Sequence, residues 1–223
     1  MADPTLGEVL FMRHPHTVAN IGPELSGRTD VPLSDKGEGQ RARAVEAICA
    51  WQPDRIWTSP LSRCHRVSDE AAERLALTVQ DQDNLIELSF GVMEGVKPDA
   101  QGRYVSPDGQ VEFPWHFDDE GRSIVAEGAE TFEQGVERAR ALLSQLQEVR
   151  GRTACVAHGG IMRCLLCAAY GGSMRFFWYM DIPNVSSVIM RYTATGFRIR
   201  AFGLTPEEVI ARGGAPTTSA TPW

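Results

Sequence analysis

The chain has 223 residues, 43% of them hydrophobic and 23% charged, with a formal net charge of −7. That length supports one core burying roughly 70% of the unfolded surface, and the acidic balance disfavours nucleic acid and anionic membrane as partners. No run reaches the ~18 to 20 apolar residues of a membrane span, no basic leader precedes a long apolar stretch at the N-terminus, and five scattered cysteines suit a reduced cytoplasm better than a disulfide framework.

Apolar runs alternate with helical patterns, which predicts an α/β domain. Val9–Met12 reads as a buried strand ending at Arg13, followed by a helix over 34–50 with Ala42, Val45, Ile48 and Cys49 at helical spacing. A strand over 54–58 stops at Ser59-Pro60, and a helix runs from Ser62 to Leu75. Thr131 and Gln134 form a T-x-x-Q capping pattern that opens a helix to about Val149. A strand over 153–157 meets His158-Gly159-Gly160 and a helix through Leu166. Strands over 185–192 and 197–202 come next, and Thr205-Pro206-Glu207-Glu208 starts a last short helix. Between about 96 and 128 the periodicity fails amid Gly, Pro, Asp and the aromatics Tyr104, Phe113, Trp115 and Phe117, so this stretch reads as an inserted lid. The division is one domain over 1–212 and a flexible tail over 213–223.

Three strands end in polar clusters: Arg13-His14, Ser59-Pro60 leading to Arg63, and His158-Gly159-Gly160. Sites in open α/β sheets form beyond the carboxyl ends of strands, so these clusters should converge. Two histidines and two arginines together make a cationic pocket suited to a phosphate dianion, whose oxygens match guanidinium forks.

LFMRHPHTVAN resembles the signature of the histidine phosphatase (phosphoglycerate-mutase-like) superfamily, and GRTDVPLSDKGEGQ, WTSPLSRC, ELSFGVMEG, EGAETF, VAHGG and NVSS resemble its later segments. The resemblance implies a three-layer α/β/α sandwich with a mostly parallel central sheet and a lid over the strand ends. It implies that His14 is the nucleophile that takes the phosphoryl group, attacking as neutral imidazole. Arg13, Arg63 and His158 would hold the phosphoryl oxygens, with Asn20, His16, Gly159 and Arg28 as further phosphate-binding positions. Glu87 would protonate the leaving oxygen and later take a proton from water. No metal and no cofactor are needed, and the implied partner is a small phosphorylated metabolite acted on by a cytoplasmic monomer or homodimer.

Two positions depart from the family pattern: Pro15 stands where Gly is usual, and His16 where Glu or Gln is usual. Proline removes a backbone N–H, while His16, if charged, would assist phosphate binding below its reference pKa of ~6.5.

The plainer readings are these. Asp81, Asp83 and Glu94 compete with Glu87 as the functional acid, with Glu94 better suited to bracing the turn. His14-x-His16 has the spacing of half a metal site, but Thr17, Val18, Ala19 and Asn20 supply no further ligand. Cys164-x-x-Cys167 on an apolar helix reads as core packing, His65 has no motif around it, and His116 either touches substrate or helps fold the lid. The lid opposes Lys97, Arg103 and Arg122 with seven acids (Asp99, Asp108, Glu112, Asp118, Asp119, Glu120 and Glu127), whereas family mutases carry a longer, basic insertion. Hydrolysis is therefore favoured, the alternatives being a cofactor-dependent phosphoglycerate-type mutase or a non-catalytic module that binds phosphorylated ligands.

Overall fold

A computed structural model describes residues 5–107, 109, 115–117 and 123–214. The chain enters through β1 (Gly7–Arg13), then α1 (Asp35–Trp51), β2 (Arg55–Thr58), α2 (Ser62–Leu75) and β3 (Val79–Asp81). A short antiparallel pair follows, β4 (Trp115–Phe117) and β5 (Ser123–Val125). The chain continues through α3 (Phe132–Gln147), β6 (Gly151–Ala157), α4 (Gly159–Tyr170), α5 (Met174–Trp178), β7 (Ser187–Thr193), β8 (Gly196–Leu204) and α6 (Pro206–Arg212).

Six strands form one sheet in the order β3-β2-β6-β1-β7-β8. The first four are mutually parallel, and β7 runs antiparallel to both its neighbours. Alternation along β1 sorts the two faces. Val9 and Phe11 pack with Leu142 and Leu146 of α3 and Ile161 and Leu165 of α4. Leu10 and Met12 pack with Val45 and Ile48 of α1, Val67 of α2 and Val209 of α6. The result is the three-layer α/β/α sandwich. Truncating a wholly buried core side chain such as Leu142 to Ala would cost about 2–5 kcal/mol.

The helix starts follow their capping residues. Ser34 Oγ accepts the N–H of Gly37, and Thr131–Gln134 and Thr205–Glu208 form reciprocal capping boxes. The α1 start also passes so close to the loop after β1 that a Cβ at Gly37 would lie 1.8 Å from the carbonyl oxygen of His16.

Some elements differ from the sequence expectations. β3 and α5 are too short to show a period: the first is a half-exposed, polar edge strand and the second a single turn. The stretch read as irregular contains the β4–β5 pair. The helix after Gly159 runs on to Tyr170 before Gly171 ends it at φ +69°. Asp108, Glu112, Phe113, Asp118, Asp119, Glu120 and Arg122, and 215–223 of the expected tail, lie outside the described residues. His116, Trp115 and Phe117 fall on β4, their side chains likewise undescribed.

Candidate active site

Because β1, β2 and β6 are parallel and pair in register, with Arg13 opposite Ala157 and Thr58 opposite Val156, their carboxyl ends arrive at one edge of the sheet. The residues just beyond them must meet there. His14 N–H donates to Ala157 O at 2.9 Å, and Ser59 N–H donates to Val156 O at 3.0 Å, so the loops leave the sheet still tied to β6.

His14 is 5% exposed. Its Nδ1 lies 2.7 Å from Pro15 O. A carbonyl only accepts, so Nδ1 carries the proton and Nε2 keeps its lone pair. Burial, then the charges of Arg13 and Arg63, hold the imidazole pKa well below its ordinary value. Pro15 lacks an N–H but retains the carbonyl that sets this tautomer.

His158 is fully buried, its ring centroid 5.1 Å from that of His14. Arg63 Nε donates to His158 Nδ1 at 3.2 Å, so Nε2 bears the proton and donates to Ser59 Oγ at 2.7 Å. Both ring nitrogens are thus engaged, and His158 reaches a phosphoryl oxygen only by exchanging one of these partners. Burial first, and with it the charges of Arg63 and Arg13, keeps it neutral as well. Cys64, on the same wall, has its thiol pushed up to about 12 by burial.

Arg63 is 1% exposed and donates to Thr29 O at 2.9 Å and Gly27 O at 2.7 Å. These bonds fix its plane and use three of its five N–H groups, with the one to His158. Arg13 donates from Nη1 to Ile182 O at 2.6 Å, and its buried Nε has no partner. The guanidinium packs over Gly159, where a Cβ would meet Arg13 Nε at an ordinary contact distance of 3.4 Å.

Glu87 meets the start of α4. Oε2 accepts from Gly160 N at 3.0 Å, and Oε1 from Ile161 N at 3.0 Å and Leu88 N at 2.9 Å. Three of about four lone-pair sites are filled, leaving one on Oε2 for a proton. The helix start offers those amides to an anion.

The remaining positions sort as follows. Asn20 Oδ1 accepts from Thr17 N and Oγ1 and from Asn184 Nδ2, so its amide N–H₂ is what it has to offer a phosphoryl oxygen. Asn184 also donates to His14 O at 3.0 Å. His16 is tied to α1 through Ser34 Oγ at 2.8 Å and Gln40 Oε1 at 2.8 Å. Arg28 is placed differently from the sequence expectation: it donates to Glu87 O at 3.0 Å and Glu130 at 3.2 Å, bracing the acid rather than joining Arg13 and Arg63. Arg138 on α3 clamps the same turn through Asn84 O and Ile86 O and pairs with Glu130. Glu94 braces the 27–29 loop, accepting from Arg28 N, Thr29 N and Thr29 Oγ1.

Sequence reasoning missed Asn184 and Arg138. The first opens the quoted NVSS segment, whose residues were given no individual role, whereas the second is one helix arginine among several and carried no signal. Of the groups weighed as rivals, His65 is held between Asp69 and Asp81. Cys164 and Cys167 lie in the core, where burial raises both thiols. Among the described residues no cluster of three His, Cys, Asp or Glu stands where it could hold a metal ion, and no helix is long and apolar enough to cross a membrane.

A cleft of about 250 Å³ opens at Arg13 and Glu87 and runs past Arg163 to Phe177 and Trp178. Its charged lining is Arg13, Arg163, Glu24 and Glu87, while His14, Arg63 and His158 are not among the lining residues and reach it only through Arg13 and the start of α4.

The sequence model of the histidine phosphatase superfamily (branch 1) matches residues 9–205. Phosphoserine phosphatase 1 of Hydrogenobacter thermophilus is 26% identical over 192 residues, covering 80% of this chain and 83% of its own. Glucosyl-3-phosphoglycerate phosphatase of Mycobacterium tuberculosis is 27% identical over 175 residues, covering 72% and 74%. The crystal structure of phosphoglycerate mutase from Bacillus anthracis superposes with a TM-score of 0.70 at 18% identity, over 93% of this chain and 96% of that one.

Proposed function

The chain belongs to the histidine phosphatase superfamily, and on that premise we propose that it hydrolyses a small phosphate monoester through a phosphohistidine on His14. The observation that carries the reading is the 2.7 Å bond from His14 Nδ1 to Pro15 O, which leaves Nε2 as a neutral nucleophile.

In the first half-reaction the Nε2 lone pair attacks phosphorus and the ester P–O bond breaks. Glu87 gives a proton to the departing oxygen. In the second, Glu87 takes a proton from water, the water oxygen bonds to phosphorus, and the P–N bond breaks to release phosphate and restore His14. Arg13 and Arg63 face the charge on the equatorial oxygens, each such donor typically contributing about 3–4 kcal/mol. These cations supply the charge that a divalent ion supplies elsewhere, so the reaction proposed is metal-independent. Both phosphatase relatives are named for small phosphorylated metabolites, which supports a substrate of that size. A retained nucleophile and acid support catalysis over simple phospho-ligand binding, which needs neither. The five free thiols fit a cytoplasmic setting.

The test is a panel of phosphate monoesters assayed with EDTA present, using wild type and His14→Ala. Hydrolysis that survives EDTA and disappears in the variant is expected. Turnover that persists in His14→Ala, or phosphoglycerate isomerisation faster than hydrolysis, would overturn the proposal.

A further inference from the structure

Arg163 is a charged group in the cleft that the phosphoryl chemistry does not use. It lies on α4 one turn after Gly159, about 6 Å along the axis, and helical side chains lean back toward the N-terminus, here toward Arg13 and Glu87. Its charge is close enough to lower the pKa of Arg13, burial being the larger cause. Nε donates to Met180 O at 2.8 Å, and the guanidinium lies 5.3 Å from the centroid of the Phe177 ring. Those two contacts fix the plane of the fork and leave both Nη groups without a protein partner among the described residues. Arg28 and Arg138, by contrast, are both ion-paired, sharing Glu130. The acids lining the cleft are already committed, Glu24 to Lys97 at 3.1 Å and Glu87 to the amides of α4.

A half-buried guanidinium with no counter-ion is costly unless something anionic meets it. We propose that Arg163 binds a carboxylate of the substrate, so that the enzyme selects phosphate monoesters bearing a carboxylate two or three carbons from the ester oxygen. The proposal rests on the phosphatase reading above. A carboxylate accepts both N–H bonds of the fork side by side, and one helical turn separates it from the phosphoryl corner. Trp178 and Leu25, which line the same cleft, cover the connecting carbons.

The test compares esters that differ only in the carboxylate, 3-phosphoglycerate with glycerol 3-phosphate and O-phosphoserine with O-phosphoethanolamine. Wild type should prefer the acid of each pair in kcat/KM. Arg163→Gln should lower that preference about 10- to 100-fold, chiefly through KM, the range expected for a charge-assisted hydrogen bond, and Arg163→Lys should restore part of it. Because the measure is a ratio within one preparation, loss of folded protein cannot mimic the effect. Equal turnover within each pair, or a ratio unmoved in Arg163→Gln, overturns this inference while the phosphatase reading stands. Failure to hydrolyse any ester overturns both.

Discussion

The carboxylate of Glu87 rests against the Cα of Gly160: Oε2 accepts that residue's N–H at 3.0 Å, and a Cβ at 160 would stand 2.5 Å from Oε1. Ala inside a helix ordinarily stabilises relative to Gly by roughly 0.5–1 kcal/mol, but here it must push the acid aside. Gly160→Ala should therefore lower kcat for alkyl phosphates by about 10²- to 10⁴-fold, the usual worth of a general acid. The loss should be much smaller for p-nitrophenyl phosphate, whose leaving group needs no proton. Steady-state kinetics on both ester types checks this, and equal losses would disconnect Glu87 from leaving-group protonation.

Pro15 contributes its carbonyl, not an N–H, to the His14 tautomer. Pro15→Gly should keep kcat within about threefold, while stability falls by roughly 0.4–1 kcal/mol as the unfolded chain gains freedom. Kinetics and urea denaturation of the variant measure both. A large gain in kcat would mean that the missing N–H matters to phosphate binding.

Glu94 acts on Arg63 at one remove, through the loop whose carbonyls at 27 and 29 fix the guanidinium. Glu94→Ala should free the exposed amides of Arg28 and Thr29 and the half-buried amide of Phe90, at a cost of about 0.5–1.5 kcal/mol in stability. It should also lower kcat/KM about tenfold without abolishing turnover, with Glu94→Gln intermediate in both. An unchanged kcat/KM in a destabilised Glu94→Ala would confine Glu94 to a structural role.

His14 and His158 are both held neutral in the folded protein, with pKa values well below 6.5. As pH falls through ~6.5 the unfolded chain binds protons that the native state refuses. Stability should therefore drop, by up to about 1.4 kcal/mol per pH unit for each histidine, until the folded-state values are reached. Urea midpoints between pH 7.5 and 5 should show this, and His14→Gln should flatten the slope. A midpoint that rises on acidification would contradict the burial of two neutral imidazoles.

Much of this was legible before the fold was seen. The apolar runs of β1 and β6 and the Thr131 and Thr205 capping boxes act locally, and the strand-end clusters of Arg13, His14, Arg63 and His158 meet at one sheet edge as their order implies. The support around them was not legible. Arg28 reads as a phosphate ligand in a motif, yet the fold turns it onto Glu87 O and Glu130. Arg138 and Arg163 are unremarkable helix residues until packing decides what they face. Gly159 and Gly160 look like a turn, yet the small size of Gly160 serves the close approach of Glu87. Such roles arise from contacts distant in sequence, which no local pattern encodes.

In the proposed reaction the phosphoryl group passes through Nε2 of His14. The direct test is a rapid alkaline quench of enzyme turning over a ³²P-labelled monoester, followed by peptide mapping and NMR of the labelled residue. An acid-labile, alkali-stable label is expected on His14 at Nε2, absent from His14→Ala and accumulating when Glu87→Gln slows hydrolysis. A label on Nδ1, on Ser59 or on Cys64, or turnover with no labelled enzyme under any quench, would contradict it.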